Sequence, residues 1–202
     1  MLHSFAGSAT DGSSPQAALL QASDGNFYGT TNQGGLNGFG TVFMITPAGV
    51  ETVLHSFSFS TGDGNGPRAA LIQGRDGNFY GTTFNGGGIG IGTGTVFKIS
   101  ATDGESVVYA FGGGADGSGP STALIQGGDG NLYGTTSSGG SNNYGTLFEI
   151  TSAGVESVVY PFAGGTTDGS NPNAVLILGS DGNFYGTTQI AGTASRFSGQ
   201  RC

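Results

Sequence analysis

One unit of about 52 residues is written four times along this chain, and that period limits the available folds more than any other feature. The block DGNFYGTT begins at Asp24 and Asp76, returns as DGNLYGTT at Asp129 and again as DGNFYGTT at Asp181. The spacings are 52, 53 and 52. A second landmark, Asp-Gly-x-x-Pro, recurs at Asp11, Asp63, Asp116 and Asp168, and apolar runs end at Phe5, Phe57, Phe111 and Phe162. A β-rich unit of this size cannot bury both faces of its own sheet, so units must stack on one another.

Residues 15–66 show the pattern within one unit. The short apolar run AALLQA (17–22) is followed by a turn at Asp24-Gly25-Asn26, where Asp-Gly and Gly-Asn tolerate the positive φ of tight hairpins. Then come Phe27–Thr31, a Gly-rich loop, GTVFMIT (40–46), a Pro-Ala-Gly turn and ETVLHSF (51–57). Four short strands joined by tight turns predict an up-and-down antiparallel sheet. In Thr41–Ile45 both faces are apolar, with Val42 and Met44 on one and Phe43 and Ile45 on the other. A sheet with one wet face would alternate, whereas stacked blades need apolar residues on both sides. The small residues opening the first strand suit the crowded axis of a ring. The expected fold is therefore all-β, a propeller-type array of four-stranded antiparallel blades, complete or as a piece of a larger propeller. A β-solenoid is the alternative, but its coils are shorter and its Ca²⁺-binding nonapeptide is absent from the sequence.

Glycine, 43 of 202 residues, would suit disorder were it not fixed in phase with 14 Phe and 7 Tyr. A net charge of −8 with five scattered Lys and Arg residues argues against nucleic acid and anionic membranes as partners. Only Cys202 is available for thiol chemistry, so neither an intrachain disulfide nor a Cys-ligated metal is expected. No run of the sequence is long and apolar enough to insert in a membrane.

Eleven of the 13 acids occupy repeat positions, which favours structural roles. The aspartates of both landmarks read as caps of their own turns. A cation in the Asp-Gly-x-x-Pro loops is the functional alternative, but one Asp per loop gives too few ligands. His3 and His55 share a repeat position, read in the other copies as Ala110 and Pro161, so neither reads as catalytic or metal-ligating. Gly112-x-Gly114-x-x-Gly117 has dinucleotide-loop spacing without a following helix. No unique nucleophile–base pair stands out. The expectation is no enzyme activity, no cofactor and no metal holding the fold. Tyr28, Tyr80, Tyr133 and Tyr185 recur and read as core. Phe59, Phe84 and Tyr144, with Phe39 beside them, lie in loops and are the candidate ligand-binding residues, since loop aromatics among Asn, Ser and Gly suit sugar stacking. The one asymmetric insertion, Phe84–Thr93, is the best place to look for a site.

The motifs DGN(F/L)YGTT, GT(V/L)F-x-I and E-(T/S)-V-(V/L)-x-x-F, followed by DG-x-x-P, resemble the GloVer tandem repeat of Gloeobacter and Verrucomicrobia, found in "choice-of-anchor" proteins. The resemblance covers about residues 1–188 as one repeat domain, leaving 189–202 as an off-pattern tail. It implies a bacterial exported protein, extracellular or on the cell surface, and no activity. The Asp-Gly-Asn-x-Tyr core also resembles lyase and NHL-type propellers at the level of fold. The leading functional reading is a non-catalytic binding or display module whose ligand is a glycan or a protein. A glycan-binding lectin and a lyase-like enzyme are the alternatives. Met1 opens inside a repeat and the tail lacks a clear third strand, so a truncated or frameshifted frame is expected. The lone N-terminal strand Leu2–Phe5 is expected to complete the last blade, within one chain or in a homodimer.

Overall fold

The computed structural model describes residues 1–59, 62–88, 93–190 and 196–197. The second and third repeats each fold as one antiparallel sheet with strands in chain order, whereas in the first and fourth the inner pieces pair apart from the main sheet, Gly12–Ser13 with Gln33–Gly34 and Ser170–Pro172 with Thr188–Ile190. In the second blade the order runs from the edge Gly64–Pro67 through Phe79–Gly86 and Thr95–Ser100 to Gly104–Ala110. The edge Gly64–Pro67 is wholly buried, whereas the fourth strand of the first blade, Glu51–Ser56, alternates with partial exposure. The first strand is therefore the inner one and the fourth forms the rim. The one helix among the described residues is a single turn, Gly165–Asp168.

The Asp-Gly-x-x-Pro segment, expected as a loop, is part of the first strand. Gly64–Pro67 pairs with the far end of the second strand (Gly64 opposite Gly86, Pro67 opposite Thr83). Ile72–Gln73 pairs with its near end, opposite Tyr80 and Phe79. The strand breaks between the two pieces because proline has no N–H for the ladder. The freed carbonyl of Ala69 accepts instead from the Thr30 hydroxyl of the preceding blade, at 3.0 Å.

The repeated motifs interlock. Gly134 lies opposite Phe148 in the second and third strands. A Cβ on Gly134 would stand 2.6 Å from the Phe148 ring and 2.8 Å from Leu124, which is why the YGTT motif needs glycine there. The last threonine of YGTT and the threonine of GT(V/L)F share a buried hydroxyl bond of 2.8 Å in three blades: Thr31–Thr41, Thr83–Thr95 and Thr136–Thr146.

The core sits between blades. Phe57 and Leu71 join Val42 and Phe97 in one cluster, and Phe111 joins Val96 and Phe148 in the next. The contacts are edge-to-face, with ring centroids 5.1 Å apart for Phe57–Phe97 and 5.0 Å for Phe111–Phe148. Of the recurring tyrosines, Tyr28 and Tyr133 are core and Tyr80 and Tyr185 half-buried, and each hydroxyl donates to the turn aspartate four residues before it. Tyr133 tilts on Phe184 of the next blade and donates to Asp129 at 2.7 Å, while Asp129 also accepts from the Asn131 N–H at 3.0 Å. Tyr133→Phe keeps the ring and deletes that charge-assisted bond. It should lower stability by about 1.5–2 kcal/mol, read as a lower urea midpoint at unchanged slope.

The N-terminal segment departs from expectation. Residues 1–7 form no strand, and the sheet of the last blade contains Ile177–Leu178, Phe184–Tyr185 and Arg196–Phe197 but not the N-terminus. Closure within one chain is thus not formed among the described residues. Phe5 instead packs edge-on against Phe43 at 4.9 Å, as Phe57 does on Phe97. It fills the place of a preceding blade's rim aromatic without the ladder. Arg196–Phe197 pairs with Tyr185 and Phe184 in the register that Met44 and Ile45 keep with Tyr28 and Phe27.

Candidate functional site

Two kinds of polar constellation recur at the junctions between blades. The first is a cleft of about 460 Å³ between the first and second blades. Gly34, Gly35 and Gly38 of the loop before the third strand form one wall, and Asn65, Gly66 and Arg68 of the next blade's first strand form the other. The Gly66 N–H donates to the Phe39 carbonyl at 2.9 Å and closes the junction. Asn32 and Asn85 add two more carboxamides, and the Asn32 Nδ2 is buried without a protein acceptor. The lining holds amides, glycines, one arginine, one phenylalanine, a serine and a glutamine, and no carboxylate, imidazole or thiol.

The loop aromatics fall around such junctions in different ways. Phe39 lines the cleft and Phe59 lies against it, with ring centroids 5.9 Å apart; both are exposed. Phe84 is not a free platform, because the Arg68 guanidinium sits 4.0 Å above its ring. Tyr144 occupies the place of Phe39 two junctions on, where its carbonyl accepts the Asn171 N–H at 2.9 Å. The structure thus brings Phe39 and Arg68 to the cleft, with Phe59 against Phe39 and Phe84 under Arg68, and leaves Tyr144 apart. In the insertion after Phe84, residues 89–92 lie outside the described residues.

The second constellation is on the rim. The Asp-Gly-x-x-Pro aspartate does not cap its own turn, as expected, but ties down the end of the preceding fourth strand. Asp63 accepts from the Ser58 N–H and from His55 Nε2, both at 2.9 Å. Asp11 accepts from the Ala6 N–H at 2.6 Å and lies 3.2 Å from His3 Nε2. In the third copy the Tyr109 hydroxyl takes the imidazole's place on Asp116 at 3.0 Å, and in the fourth Tyr160 does so on Asp168 at 2.7 Å. This corrects the sequence alignment: His55 opposes Val42 as Tyr109 opposes Val96, so the equivalents of the histidines are Tyr109 and Tyr160, not Ala110 and Pro161. Counting back two residues from each strand-ending phenylalanine would have found them.

A third member comes from the next blade, whose fourth strand opens with glutamate. Glu51 reaches the first cluster and Glu105 the second. Each of Glu51, Glu105 and Glu156 has Oε1 buried without a hydrogen-bond partner among the described residues. Burial, and next the Asp63 carboxylate, push Glu105 up to about 7. Burial and then Asp116 push Glu156 up to about 7, with the Tyr109 hydroxyl opposing. The sequence places these glutamates at a strand start. That they face the histidine or tyrosine at the preceding blade's rim follows only from the stacking.

A group whose folded pKa lies above its ordinary value stabilises most at low pH, and that contribution is lost as pH rises through the folded pKa. For Glu156 the window runs from 4.5 to about 7. Glu156→Gln should therefore match the parent near the bottom of that window. Above it the variant should exceed the parent by about 1 kcal/mol, once solvent screening of a half-exposed group is allowed for. Urea unfolding of both proteins across this range checks it, and equal pH slopes would disprove it.

Four-stranded sheets stacked face to face, buried at the inner edge and wet at the rim, define a β-propeller-type blade array. The chain belongs to the Gloeobacter/Verrucomicrobia repeat family, which it matches over residues 1–199. No curated protein matches it significantly. Among solved structures it is similar to the extracellular domain assigned to a hybrid two-component system of B. thetaiotaomicron, with a TM-score of 0.59 and 15% identity, covering 88% of this chain and 21% of that one. It is also similar to a gluconolactonase of Xanthomonas campestris (TM-score 0.52, 16% identity, 92% and 57% covered). A further protein assigned as a gluconolactonase gives a TM-score of 0.55 at 15% identity, with 85% and 56% covered. The chain thus spans just over half the length of these lactonases. At such identities the likeness is one of fold.

Proposed function

We propose that this blade array is a non-catalytic binding module of an exported bacterial protein, and that the cleft between the first two blades takes an oxygen-rich ligand of the glycan class. One observation carries the reading: the buried, unpartnered Asn32 Nδ2 in a cleft that also offers Asn65, Asn85 and Arg68 beside the exposed Phe39 ring. A buried amide donor without an acceptor is costly, and a ligand hydroxyl or carbonyl would satisfy it. Amides for orientation and an aromatic face for stacking are what a sugar ring needs. A cleft lining without carboxylate, imidazole or thiol supports binding over acid–base hydrolysis. The extracellular domain among the similar structures supports export, as does the family's association with anchored proteins.

The test is a glycan array followed by calorimetry on the best hit. Saturable binding is expected, falling at least tenfold in Phe39→Ala and Asn85→Ala variants that keep the parent melting temperature. Binding that survives both changes would remove the cleft as the site, and an array with no hit would remove the ligand class.

A further inference from the structure

The rim clusters of the first two copies differ from the others in chemistry, not in position. His55 Nε2, a carboxylate oxygen of Asp63 and one of Glu105 all lie within 4.8 Å of one another, as do the matching atoms of His3, Asp11 and Glu51. Each set joins a histidine two residues before a rim phenylalanine, and the aspartate eight residues after it, to the glutamate that opens the next fourth strand. In each, the glutamate's Oε1 is enclosed by protein and has no hydrogen-bond donor among the described residues. The third copy keeps the aspartate and glutamate but replaces the imidazole with Tyr109, whose hydroxyl is already committed to Asp116 at 3.0 Å.

We propose that His3, Asp11 and Glu51, and likewise His55, Asp63 and Glu105, each bind one divalent transition-metal ion of the zinc type across the junction of successive blades. An imidazole nitrogen with two carboxylate oxygens is a donor set for zinc rather than for the hard cations, which take six or more oxygens. The imidazole–aspartate pairs are near the geometry needed, and the glutamate oxygen, within 4.8 Å of both, swings in to complete the set. Two ligands on a tetrahedral zinc stand about 3.3 Å apart, and His3 Nε2 and Asp11 Oδ1 are at 3.2 Å. The His55–Asp63 pair, at 2.9 Å, needs to open by only a few tenths of an ångström. The ion takes the place of the Nε2 proton between imidazole and aspartate and gives the glutamate oxygen its missing partner. A fourth position stays open to water. Asp63 is held for this by the Ser58 and Gly64 N–H groups, at 2.9 and 2.7 Å. The role is a removable staple between blades, since in the third copy the same junction forms with tyrosine in place of histidine.

The test uses the full chain with Cys202→Ser, so that no thiol competes, stripped with chelator and titrated with ZnCl₂ by calorimetry. Two equivalents are expected, with a rise in melting temperature that chelator reverses. His55→Tyr should lose one equivalent and the His3→Tyr/His55→Tyr pair both. Both variants should fold without metal, because tyrosine is what the third and fourth copies carry at that place. The converse change, Tyr109→His, should add a third equivalent with Asp116 and Glu156. Absence of zinc binding by the parent at micromolar concentrations, or an unchanged stoichiometry in the folded double variant, would overturn the proposal.

Discussion

Truncating Phe148 to alanine should cost about 4 kcal/mol, in the upper part of the range for emptying a buried aromatic site. The ring is fully buried. It lies across Gly134 of its own blade and meets Phe111 of the preceding blade edge-on at 5.0 Å. These neighbours belong to paired strands and cannot collapse into the space, so the cavity persists. Urea unfolding measures the loss, with Val155→Ala as the control. Val155 is 62% exposed, and its truncation should change stability by less than about 0.5 kcal/mol. A Phe148 loss as small as the control would mean that the blades are not held by this contact.

Gly145→Ala should be comparably severe for a different reason. Gly145 precedes the third strand of its blade at φ +96°, where side chains are strained, and a Cβ would stand 2.3 Å from the Thr136 carbonyl oxygen and 2.7 Å from Pro172 of the next blade. The obstacle is backbone on one side and a proline ring on the other, so neither can turn away. Strain and clash together should cost about 3 kcal/mol or more. Gly130→Ala separates the two terms: its φ is +87°, but nothing lies within 4 Å of the added Cβ. It should cost about 1 kcal/mol, from conformation alone. Equal losses in the two variants would show that the contact with Pro172 carries no weight.

The repeat period, the four strands and the tight Asp-Gly-Asn turns were legible because each is a local signal. Alternation, β-branched residues and turn chemistry act within a few residues of themselves. The two-piece first strand was not legible, because Ala69-Ala70-Leu71 reads as strand by composition. Pro67 and a hydroxyl from the neighbouring blade decide otherwise. The rim clusters were half legible. Aspartate and histidine are visible in each copy's own sequence, but the glutamate that completes a cluster lies one repeat further on. Its partnership is a product of stacking, which periodicity announces without fixing which side chains meet. The N-terminal segment shows the converse limit: its sequence is that of a rim strand, yet without a third strand beside it Leu2–Phe5 forms no ladder.

Because every hydrophobic cluster among the described residues is shared by two successive blades, cohesion in this molecule belongs to junctions rather than to modules. A blade with a neighbour on each side is held twice, and one at either extreme once. Amide exchange should therefore be graded along the chain. Protection should be deepest in the third strands of the two middle blades, Thr95–Ser100 and Thr146–Ile150, and fall toward both outer blades. Lengthening such an array by one repeat adds one whole junction and leaves the others unchanged, so a gene can tune the robustness of the protein by copy number alone.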